Sequence, residues 1–372
     1  MQRSVGVLGA GQLGRMLALA GYPLEVSFRF LDPKSGSPAG QVAEQLVAGW
    51  DDGAALERLA REAEVVTFEF ESIPEPAARR VSELTPVRPP PEALAIAQDR
   101  LVEKNFFSEL GIPTARYVNV TSLAELESAA REIGLPAVLK TRRLGYDGKG
   151  QYLIRQESEL SPAWQAVGGA PSILEAWVPF ERELSQLAVR GIDGTTAFYP
   201  LVENHHDKGV LRLTIAPAAR AGKELERAAR DAVRKIFERL DYVGAFALEL
   251  FEVDGKLFAN EFAPRVHNSG HFTIEGAVTS QFENHLRAIL GLPLGSTALR
   301  GYSAMVNMIG NVPEPAELLA LPDAHVHLYG KGPAPGRKLG HVTVCAPDAA
   351  TRDQRARAAC QVVGWLPQKP PF

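Results

Sequence analysis

Compact apolar runs alternate with amphipathic stretches along the first part of the chain. Val5 to Leu8, Val26 to Leu31 and Val65 to Phe68 are short apolar runs, which predict buried strands. A glycine turn follows the first run, and residues 12–21 then space their apolar side chains as a helix does. Strands that alternate with helices predict a parallel sheet with helices on its faces, so we expect an α/β fold here.

Three domains are predicted from the way this pattern changes. The proline-rich stretch Thr85 to Pro91 cannot lie inside a helix, and it marks the end of a first domain over 1–95. Residues 96–295 mix strands with helices, among them an amphipathic helix from Gly222 to Leu240. Residues 296–372 predict a small α+β domain, with strands at 302–308, 325–329 and 341–345 and a helix near 349–363.

The second domain contains a predicted β hairpin that carries two glutamates, Glu249 and Glu261. Two β-prone apolar runs flank Asp254-Gly255, which is a strong hairpin signal. A three-residue loop over 254–256 would place the glutamates opposite each other, with Cβ atoms about 5 Å apart. A two-residue loop would place them on opposite faces. Facing carboxylates repel, and Mg²⁺ held together with substrate phosphates would offset that cost. Two solvated glutamates are the alternative.

A first glycine-rich element, Gly9-Ala-Gly11-Gln12-Leu13-Gly14, follows a strand and opens a helix. Asp32 ends the next strand, so the segment matches a dinucleotide-binding fingerprint and on its own indicates NAD. No hydride-transfer site is evident downstream, however. A phosphate of another substrate is therefore the favoured ligand of this turn. A plain strand-to-helix turn is the alternative.

A second glycine-rich element lies between two predicted strands, over residues 142–150. It does not open a helix, so it is not a Walker-type loop, and a mobile flap over a triphosphate is the favoured interpretation. Lys140 closes the buried strand before it, where an ammonium group would be costly unless it met an anion. A hairpin loop with solvated charges is the alternative.

Polar residues in the middle of the chain suggest nucleotide contacts. The strand from Ser172 to Val178 could pair its backbone with an adenine edge, and Glu183 could bind ribose hydroxyls. Adjacent His205 and His206 point to opposite sides of an extended chain, so they make poor zinc co-ligands. We expect one of them near the nucleotide.

Two later segments suggest substrate contacts. Arg265 to His271 follows Glu261 directly and is rich in polar groups. Tyr329 to His341 gathers cations on a loop rich in glycine and proline, which suits a phosphate or a carboxylate. A solvated basic turn is the alternative for the second segment.

Composition excludes several classes of protein. The chain has 372 residues and a formal net charge of −4, so it shows no bulk attraction for nucleic acid or anionic membranes. No apolar run approaches the ~20 residues that span a bilayer, and no signal-peptide pattern is seen. The two cysteines, Cys345 and Cys360, have no metal-ligand spacing. We expect a cytoplasmic protein with small-molecule partners and no nucleic-acid or membrane partner.

Several motifs together resemble a known family. The chain is similar to the ATP-grasp ligases and, within them, to the N5-carboxyaminoimidazole ribonucleotide synthetases of purine biosynthesis. The resemblance implies an ATP-grasp fold with an N-terminal Rossmann-like domain and a small C-terminal α+β domain. The motifs that carry it are Gly11-Gln-Leu-Gly-Arg-Met16, Thr67-Phe-Glu-Phe-Glu71, Gln98-Asp-Arg-Leu101, Gly145-Tyr-Asp-Gly-Lys-Gly-Gln151, Asn260-Glu-Phe-Ala-Pro-Arg-Val-His-Asn-Ser-Gly-His271 and Pro335-Gly-Arg-Lys-Leu-Gly-His341.

The resemblance implies a carboxylase that uses ATP and bicarbonate, acts on aminoimidazole ribonucleotide through carboxyphosphate, and forms a homodimer. Glu249 and Glu261 would hold Mg²⁺ or Mn²⁺. The ATP site would comprise Arg100, Lys140, Gly145, Tyr146, Asp147, Gly148, Lys149, Gly150, Gln151, Glu175, Ala176, Trp177, Val178, Glu183, His206, Asn260 and Glu261. The ribonucleotide would contact Gln12, Leu13, Glu71, Tyr146, Asn268, Lys331, Arg337 and Lys338. The catalytic candidates are Asp147, Lys149, His267 and Lys331.

The chain departs from the family pattern at three positions. Ala10 replaces a glycine, Lys149 replaces the commoner arginine of the flap, and Ala334 stands where an arginine often occurs. The last change could weaken phosphate binding. Three other functions compete with the carboxylase: a formate-dependent glycinamide ribonucleotide transformylase, an NAD-dependent oxidoreductase and a non-catalytic nucleotide-binding module. The segment 267–271 disfavours the first, and the complete set of proposed ATP and metal residues disfavours the last.

Overall fold

The computed structural model describes residues 3–145 and 148–367, and its strands and helices follow the predicted order. The strands are β1 Arg3–Leu8, β2 Val26–Asp32, β3 Glu44–Val47, β4 Val65–Phe68, β5 Tyr117–Val120, β6 Ala137–Thr141, β7 Gln151–Ile154, β8 Ser172–Ala176, β9 Arg182–Arg190, β10 Thr196–Phe198, β11 Val202–Asp207, β12 Val210–Ala216, β13 Gly244–Val253, β14 Lys256–Ala263, β15 Tyr302–Ile309, β16 Ala324–Leu328 and β17 Lys338–Ala346. The helices are α1 Gln12–Gly21, α2 Gly53–Arg61, α3 Glu75–Ser82, α4 Pro91–Ala97, α5 Arg100–Glu109, α6 Leu123–Ile133, α7 Leu160–Ala166, α8 Lys223–Leu240, α9 Thr273–Gly276, α10 Gln281–Ile289, α11 Pro315–Leu319 and α12 Ala349–Val363.

The N-terminal segment forms the predicted parallel sheet. Its strand order is β3-β2-β1-β4, and every pair in it is parallel. Val5, Val7 and Phe30 are almost fully buried between this sheet and its helices. The alternation of strand and helix in the sequence therefore yields the arrangement that it predicts.

The middle of the chain contributes a small antiparallel sheet with the order β5-β8-β6-β7. The glycine-rich loop connects β6 to β7, as predicted. Helix α7 lies between β7 and β8, because Leu160, Ala163 and Val167 pack into the core of this sheet at helical spacing.

The C-terminal segment does not build a sheet of its own. Strand β15 pairs antiparallel with β12, and β17 and β16 continue outward in the order β14-β13-β9-β11-β12-β15-β17-β16. With β10, which pairs with β9 beside this order, one nine-stranded sheet thus crosses the predicted boundary at 295, while the boundary itself stays a prediction. Within 3–145 and 148–367, no helix is both long and apolar enough to cross a bilayer.

The hairpin of β13 and β14 differs from its predicted form and still produces the predicted pairing. Val253 pairs with Lys256, so the turn has two residues, Asp254 and Gly255, the loop length that was expected to place the glutamates on opposite faces. Both turn residues have positive φ, of 48° and 69°, as a tight hairpin turn requires. A register shift at Asn260 then inserts one extra residue into β14. This β-bulge restores the alignment of the two glutamates.

His285 on α10 joins two of the sheets. Its Nε2 lies 3.0 Å from the Thr67 hydroxyl on β4, and its Nδ1 accepts a hydrogen bond from the Ala245 N–H on β13 at 3.0 Å. Because Nδ1 accepts, the proton of the neutral ring lies on Nε2. Burial lowers the pKa of His285 to about 3.

We predict that His285 makes unfolding sensitive to acid. Its folded-state pKa is lowered, so its stabilising effect is complete above the unfolded value of about 6.5 and is lost as the pH falls toward 3. Each pH unit in that window removes about 1.4 kcal/mol from the free energy of unfolding. Urea unfolding of wild type and His285→Gln between pH 6 and 4 measures this. The variant should show a shallower slope, and equal slopes would contradict the assignment.

Candidate active site

A large cavity lies where the three segments of the chain meet. It has a volume of about 1310 Å³, and residues from the N-terminal turn, the flap, the central sheet and the C-terminal loop line it. The predicted site residues on its wall are Gln12, Leu13, Glu71, Arg100, Lys140, Gly145, Gly148, Lys149, Gln151, Trp177, Glu183, His206, Glu249, Asn260, Glu261, His267, Asn268, Lys331, Arg337 and Lys338.

The remaining predicted residues fall into two groups. Gly150, Glu175, Ala176 and Val178 are absent from the described wall of the cavity. Tyr146 and Asp147 lie outside the described residues, so their predicted roles stay predictions. The structure therefore brings together most of the residues that the sequence placed in one site.

Glu249 and Glu261 face each other on adjacent strands, because the bulge at Asn260 aligns them. Burial and then the charge of Glu261 raise the pKa of Glu249 to about 7. Burial also opposes ionisation of Glu261, but Arg100, whose Nη1 lies 2.8 Å from its Oε2, outweighs burial and lowers that pKa. The two carboxylates therefore differ in pKa: a cation holds Glu261 ionised, whereas Glu249 titrates close to neutral pH.

Lys140, at the end of its buried strand, forms an ion pair with a carboxylate, as expected for an ammonium group in a buried position. Its Nζ donates to Glu175 Oε2 at 2.9 Å, and Lys104 Nζ lies 3.8 Å from the same oxygen. Burial opposes ionisation of Glu175, yet the two lysines together lower its pKa. The Glu175 side chain thus serves as the counterion of Lys140 behind the cavity wall.

The described part of the flap rests on the opposite side of the cleft. A Cβ atom added to Gly148 would lie 2.1 Å from the carbonyl oxygen of Lys208, in the turn between β11 and β12. The Arg100 guanidinium donates to the carbonyl oxygen of Gly145 at 3.3 Å. Glycine is therefore required at 148, because its backbone makes a contact that a side chain would block.

Polar and aromatic groups lie side by side beneath the flap. His206 Nδ1 lies 2.6 Å from Glu183 Oε2, and although burial opposes protonation, this carboxylate raises the pKa of His206. Phe180 and Phe251 stack with centroids 4.7 Å apart, next to Trp177. This part of the cavity offers flat apolar surface together with an acceptor of hydrogen bonds.

The N–H groups of Gly11 and Gly14 in the first glycine turn already have partners, while the expected contact of this turn with a substrate phosphate stays a prediction. The Gly11 N–H donates to Glu69 Oε1 at 2.6 Å, and the Gly14 N–H donates to Glu69 Oε2 at 3.0 Å. Asp32 accepts from the Ala10 N–H at 3.1 Å, so the acid expected to bind an NAD ribose also acts within the protein. A carboxylate of the chain itself fills the anion site of this helix N-terminus.

Side chains define the other end of the cavity. Lys331 Nζ donates to Gln12 Oε1 at 2.5 Å, which links the C-terminal loop to the N-terminal domain. Arg265 forms an ion pair with Glu71. Asn268 exchanges hydrogen bonds with Asn307 on β15. Three separate segments therefore converge there and hold one another in place.

His267 lies between the two ends of the cavity. Its Nε2 is 3.4 Å from Glu249 Oε1, and its Nδ1 is 2.8 Å from the Ser269 hydroxyl. Burial, followed by the charge of Arg265, keeps the pKa of His267 well below its usual range. The imidazole is therefore neutral, and its Nδ1 accepts a hydrogen bond from the Ser269 N–H at 3.3 Å.

Several residues of the site were missed by sequence reasoning. Glu103 and Lys104 are buried charges on α5, while Glu69 fills the glycine turn and Arg265 binds Glu71. Glu69 follows a buried parallel strand, and polar residues at that edge of such sheets often serve the site, so this signal was readable. The roles of Glu103 and Lys104 depend on the tertiary contacts of α5.

The residues near Glu249 and Glu261 suit a hard cation. Asn260 Oδ1, adjacent to Glu261, is buried without a hydrogen-bond partner among the described residues. Carboxylate and amide oxygens are the ligands that Mg²⁺ accepts, usually together with substrate phosphates. Among residues 3–145 and 148–367, no group of three or more His, Cys, Asp or Glu could hold a metal by itself. The donor set thus fits an ion that shares its coordination with a phosphorylated substrate.

Models of three protein families match consecutive parts of the chain. The ribonucleotide synthetase preATP-grasp domain matches residues 1–98, the ATP-grasp domain matches 105–282, and the phosphoribosylaminoimidazole carboxylase C-terminal domain matches 303–355. With a glycine-rich flap above a buried lysine and a carboxylate pair, fold and site together define an ATP-grasp ligase. The predicted fold class is confirmed.

Comparison with individual proteins narrows this class. The chain is 54% identical over 351 residues to the N5-carboxyaminoimidazole ribonucleotide synthase of Pseudomonas aeruginosa, covering 94% of this chain and 97% of that one. The synthetase structure from Thermus thermophilus has a TM-score of 0.94 at 53% identity, covering 98% of this chain and all of that one. The Aspergillus clavatus synthase in complex with ADP and 5-aminoimidazole ribonucleotide has a TM-score of 0.91 at 32% identity, covering 98% and 99%. The chain belongs to the N5-carboxyaminoimidazole ribonucleotide synthase family.

We predict that Glu69→Ala destabilises the protein. The variant leaves the buried N–H groups of Gly11 and Gly14 without partners, which costs about 1–3 kcal/mol for each unsatisfied group. Urea unfolding followed by circular dichroism measures the loss. Glu109→Ala, at an exposed position on α5, is the matched control and should change stability by less than about 0.5 kcal/mol. Equal unfolding midpoints for the two variants would contradict the role of Glu69.

Proposed function

We propose that this protein carboxylates 5-aminoimidazole ribonucleotide to N5-carboxyaminoimidazole ribonucleotide, with hydrolysis of ATP to ADP and phosphate. The observation that carries the proposal is one continuous cavity with a nucleotide end under the flap and a cationic end at the C-terminal loop. The reaction joins a nitrogen to a carbon and belongs to purine biosynthesis. The family assignment favours it over formyl transfer to glycinamide ribonucleotide and over NAD-dependent oxidation.

ATP lies with its phosphates beneath the flap, toward Arg100 and Lys140, and with its base at the segment from Glu175 to Val178. The stacked rings of Phe180 and Phe251 beside Trp177 provide an apolar surface for adenine. Glu183 accepts from the ribose hydroxyls, and the contact with His206 orients its carboxylate. Ala176 and Val178 would contribute through the backbone of their segment, and Glu175 through its pairing with Lys140.

Glu249 and Glu261 are the proposed ligands of Mg²⁺, with Asn260 Oδ1 beside them. The ion would neutralise charge on the phosphates of ATP, and Mn²⁺ can replace it. Arg100 and Lys140 add fixed positive charge around the transferring phosphoryl group. In phosphoryl transfer, positioning and electrostatic stabilisation supply most of the rate enhancement.

The chemistry begins with bicarbonate, which is a poor electrophile. Attack of a bicarbonate oxygen on the γ-phosphorus of ATP gives carboxyphosphate and releases ADP. The exocyclic amine of the ribonucleotide then attacks the carboxyl carbon, and phosphate leaves. The amine must lose a proton in this step, and His267 and Asp147 are the proposed acceptors. Closure of the flap over 145–151, including Lys149, excludes water that would hydrolyse carboxyphosphate.

The ribonucleotide occupies the end of the cavity opposite the flap hinge. Gln12 and Leu13 contact it through their side chains, because Glu69 occupies the N–H groups of that turn. Lys331, Arg337 and Lys338 supply positive charge for its phosphate. The remaining proposed contacts are Glu71, Tyr146 and Asn268.

The partners of this reaction are small molecules: ATP, bicarbonate and the ribonucleotide. The proposal includes a cytoplasmic location and a homodimer, both by analogy with the family. Phosphate release from Mg-ATP and bicarbonate, with and without the ribonucleotide, tests the function. Strong stimulation with one carboxylated product is expected. A rate of ATP hydrolysis that does not change when the ribonucleotide is added would exclude the ribonucleotide as the acceptor.

We predict that Glu261→Gln abolishes ATP turnover. The amide keeps the size of the side chain but removes the negative charge that the metal and Arg100 require. Steady-state ADP formation should fall by at least about 100-fold, because losses of about 10- to 100-fold are typical even for groups that only orient a metal ligand. Turnover within a few-fold of wild type at saturating Mg²⁺ would exclude Glu261 as a ligand.

We predict that Lys331→Ala impairs use of the ribonucleotide more than ATP binding. The ammonium group contacts Gln12 at the substrate end and lies on the loop opposite the flap. The KM for the ribonucleotide should rise by about tenfold or more, the equivalent of about 1.4 kcal/mol. The dissociation constant for ADP, measured by calorimetry, should stay near that of wild type. Equal losses for both ligands would reject this role.

A further inference from the structure

Strand β14, which carries Glu261, is the outer edge of the nine-stranded sheet. It contains a β-bulge at Asn260, next to that glutamate. Among the strands within 3–145 and 148–367, β14 pairs along its length with β13 alone. The register shift at Asn260 leaves backbone groups on the outer side of β14 without a neighbouring strand. In a buried setting such groups need other partners.

The backbone after α5 provides one partner, because the Ala259 N–H donates to the Pro113 carbonyl oxygen at 2.7 Å, and side chains on one face of α5 provide the others. Lys104 Nζ donates to the carbonyl oxygens of Asn260 at 2.7 Å and Ala259 at 3.3 Å. Glu103 Oε1 accepts from the Phe262 N–H at 2.7 Å. These contacts bracket Glu261 on both sides along the strand.

The spacing on α5 explains how one helix contacts consecutive strand residues. Arg100, Glu103 and Lys104 occupy positions i, i+3 and i+4, which project from the same side of a helix. Arg100 reaches the side chain of Glu261, while the other two hold its flanking backbone. Glu103 and Lys104 are 2% and 1% exposed, so neither is a casual surface contact.

We propose that Glu103 and Lys104 are positioning residues that hold the bulge at Asn260 and thereby keep Glu261 facing Glu249. The inference rests on the proposed function, because it assumes that the glutamate pair binds the metal. A β-bulge re-aims the side chain that follows it, and without its outer hydrogen bonds an edge strand can slip. A slip of one residue would turn Glu261 to the opposite face.

The same lysine also serves the nucleotide side of the site. Lys104 Nζ lies 3.8 Å from Glu175, the counterion of Lys140, and it donates to the Thr114 hydroxyl at 3.0 Å. Thr114 itself donates to the carbonyl oxygen of Ala259 at 2.7 Å. One buried ammonium group therefore connects the metal strand to the lysine proposed for the ATP phosphates.

The test compares metal affinity in variants that remove or keep these hydrogen bonds. Binding of Mn²⁺ to the ADP-bound protein, followed by electron paramagnetic resonance, reports the site without turnover. Lys104→Met should raise the dissociation constant for Mn²⁺ by about 10- to 100-fold, as loss of groups that orient metal ligands commonly does. Lys223→Met, at an exposed position on α8, is the matched control and should bind as wild type does.

A second pair of variants isolates the hydrogen bond of Glu103. Glu103→Gln keeps an acceptor oxygen for the Phe262 N–H and should bind Mn²⁺ nearly as wild type does. Glu103→Leu removes the acceptor and should weaken binding as Lys104→Met does. The Mg²⁺ concentration for half-maximal rate should rise in the same order, while the KM for the ribonucleotide stays constant. Equal effects of Gln and Leu would overturn the proposal.

Hydrogen exchange on the unmodified protein gives a readout that needs no variant to fold. The Phe262 amide should be among the slowly exchanging amides of the hairpin, although it lies on an edge strand. Exchange as fast as that of the turn at Asp254 and Gly255 would overturn the proposal, as would unchanged Mn²⁺ affinity in folded Lys104→Met.

Failure of this inference can be told apart from failure of the proposed function. Glu249→Gln and Glu261→Gln remove the proposed ligands themselves. If both lose Mn²⁺ while Lys104→Met and Glu103→Leu keep it, the metal site stands and the positioning role falls. If the two glutamine variants bind Mn²⁺ as wild type does, the metal site itself is wrong.

Discussion

Repulsion between two carboxylates that face each other across a β ladder is the constraint on which the rest of this cleft depends. Glu249 and Glu261 are placed together by backbone pairing, so their side chains cannot separate without breaking the hairpin. Cations from other elements compensate the negative charge of these buried carboxylates. Arg100 reaches one carboxylate directly, and Lys104 and Lys140 lie behind the same wall around Glu175. Glu261 and Glu175 thus each have a cation within reach.

The two ends of the cavity hold their charged groups in different ways. At the nucleotide end, charges are fixed by strands and by α5, and their positions are set before any substrate arrives. At the opposite end, the helix N-terminus that could have bound an anion is already neutralised by Glu69, so side chains such as Lys331 provide the positive charge. Side chains on a loop can move when the cleft opens, whereas a helix dipole cannot. The arrangement joins a rigid phosphate site to an adjustable acceptor site.

The sequence predicts this structure wherever the signal is local. Asp254-Gly255 predicts the hairpin, and the alternation of apolar runs with amphipathic stretches predicts the parallel sheet. Both signals are local, because turn chemistry and periodicity act within a few residues. The bulge at Asn260 could not be read in this way, since the lysine that holds it is separated from Ala259 by 155 residues along the chain and from Asn260 by 156. Glu69 follows a different strand of the same sheet from the glycine turn, so the sequence shows an acid at the sheet edge but not which N–H groups it accepts from. Residue types reveal which chemistry is available, but tertiary contacts decide which groups remain available for a substrate.

The continuity of the central sheet also bears on how such a protein can change during evolution. Family models divide the chain into three modules, yet β15 completes the hydrogen bonding of β12 across the junction between the last two. A recombination event that exchanged the C-terminal module would have to supply a strand with matching register as well as a loop with matching charge. Acceptor specificity in this architecture is therefore inherited together with a structural strand, which ties the choice of substrate to the integrity of the sheet.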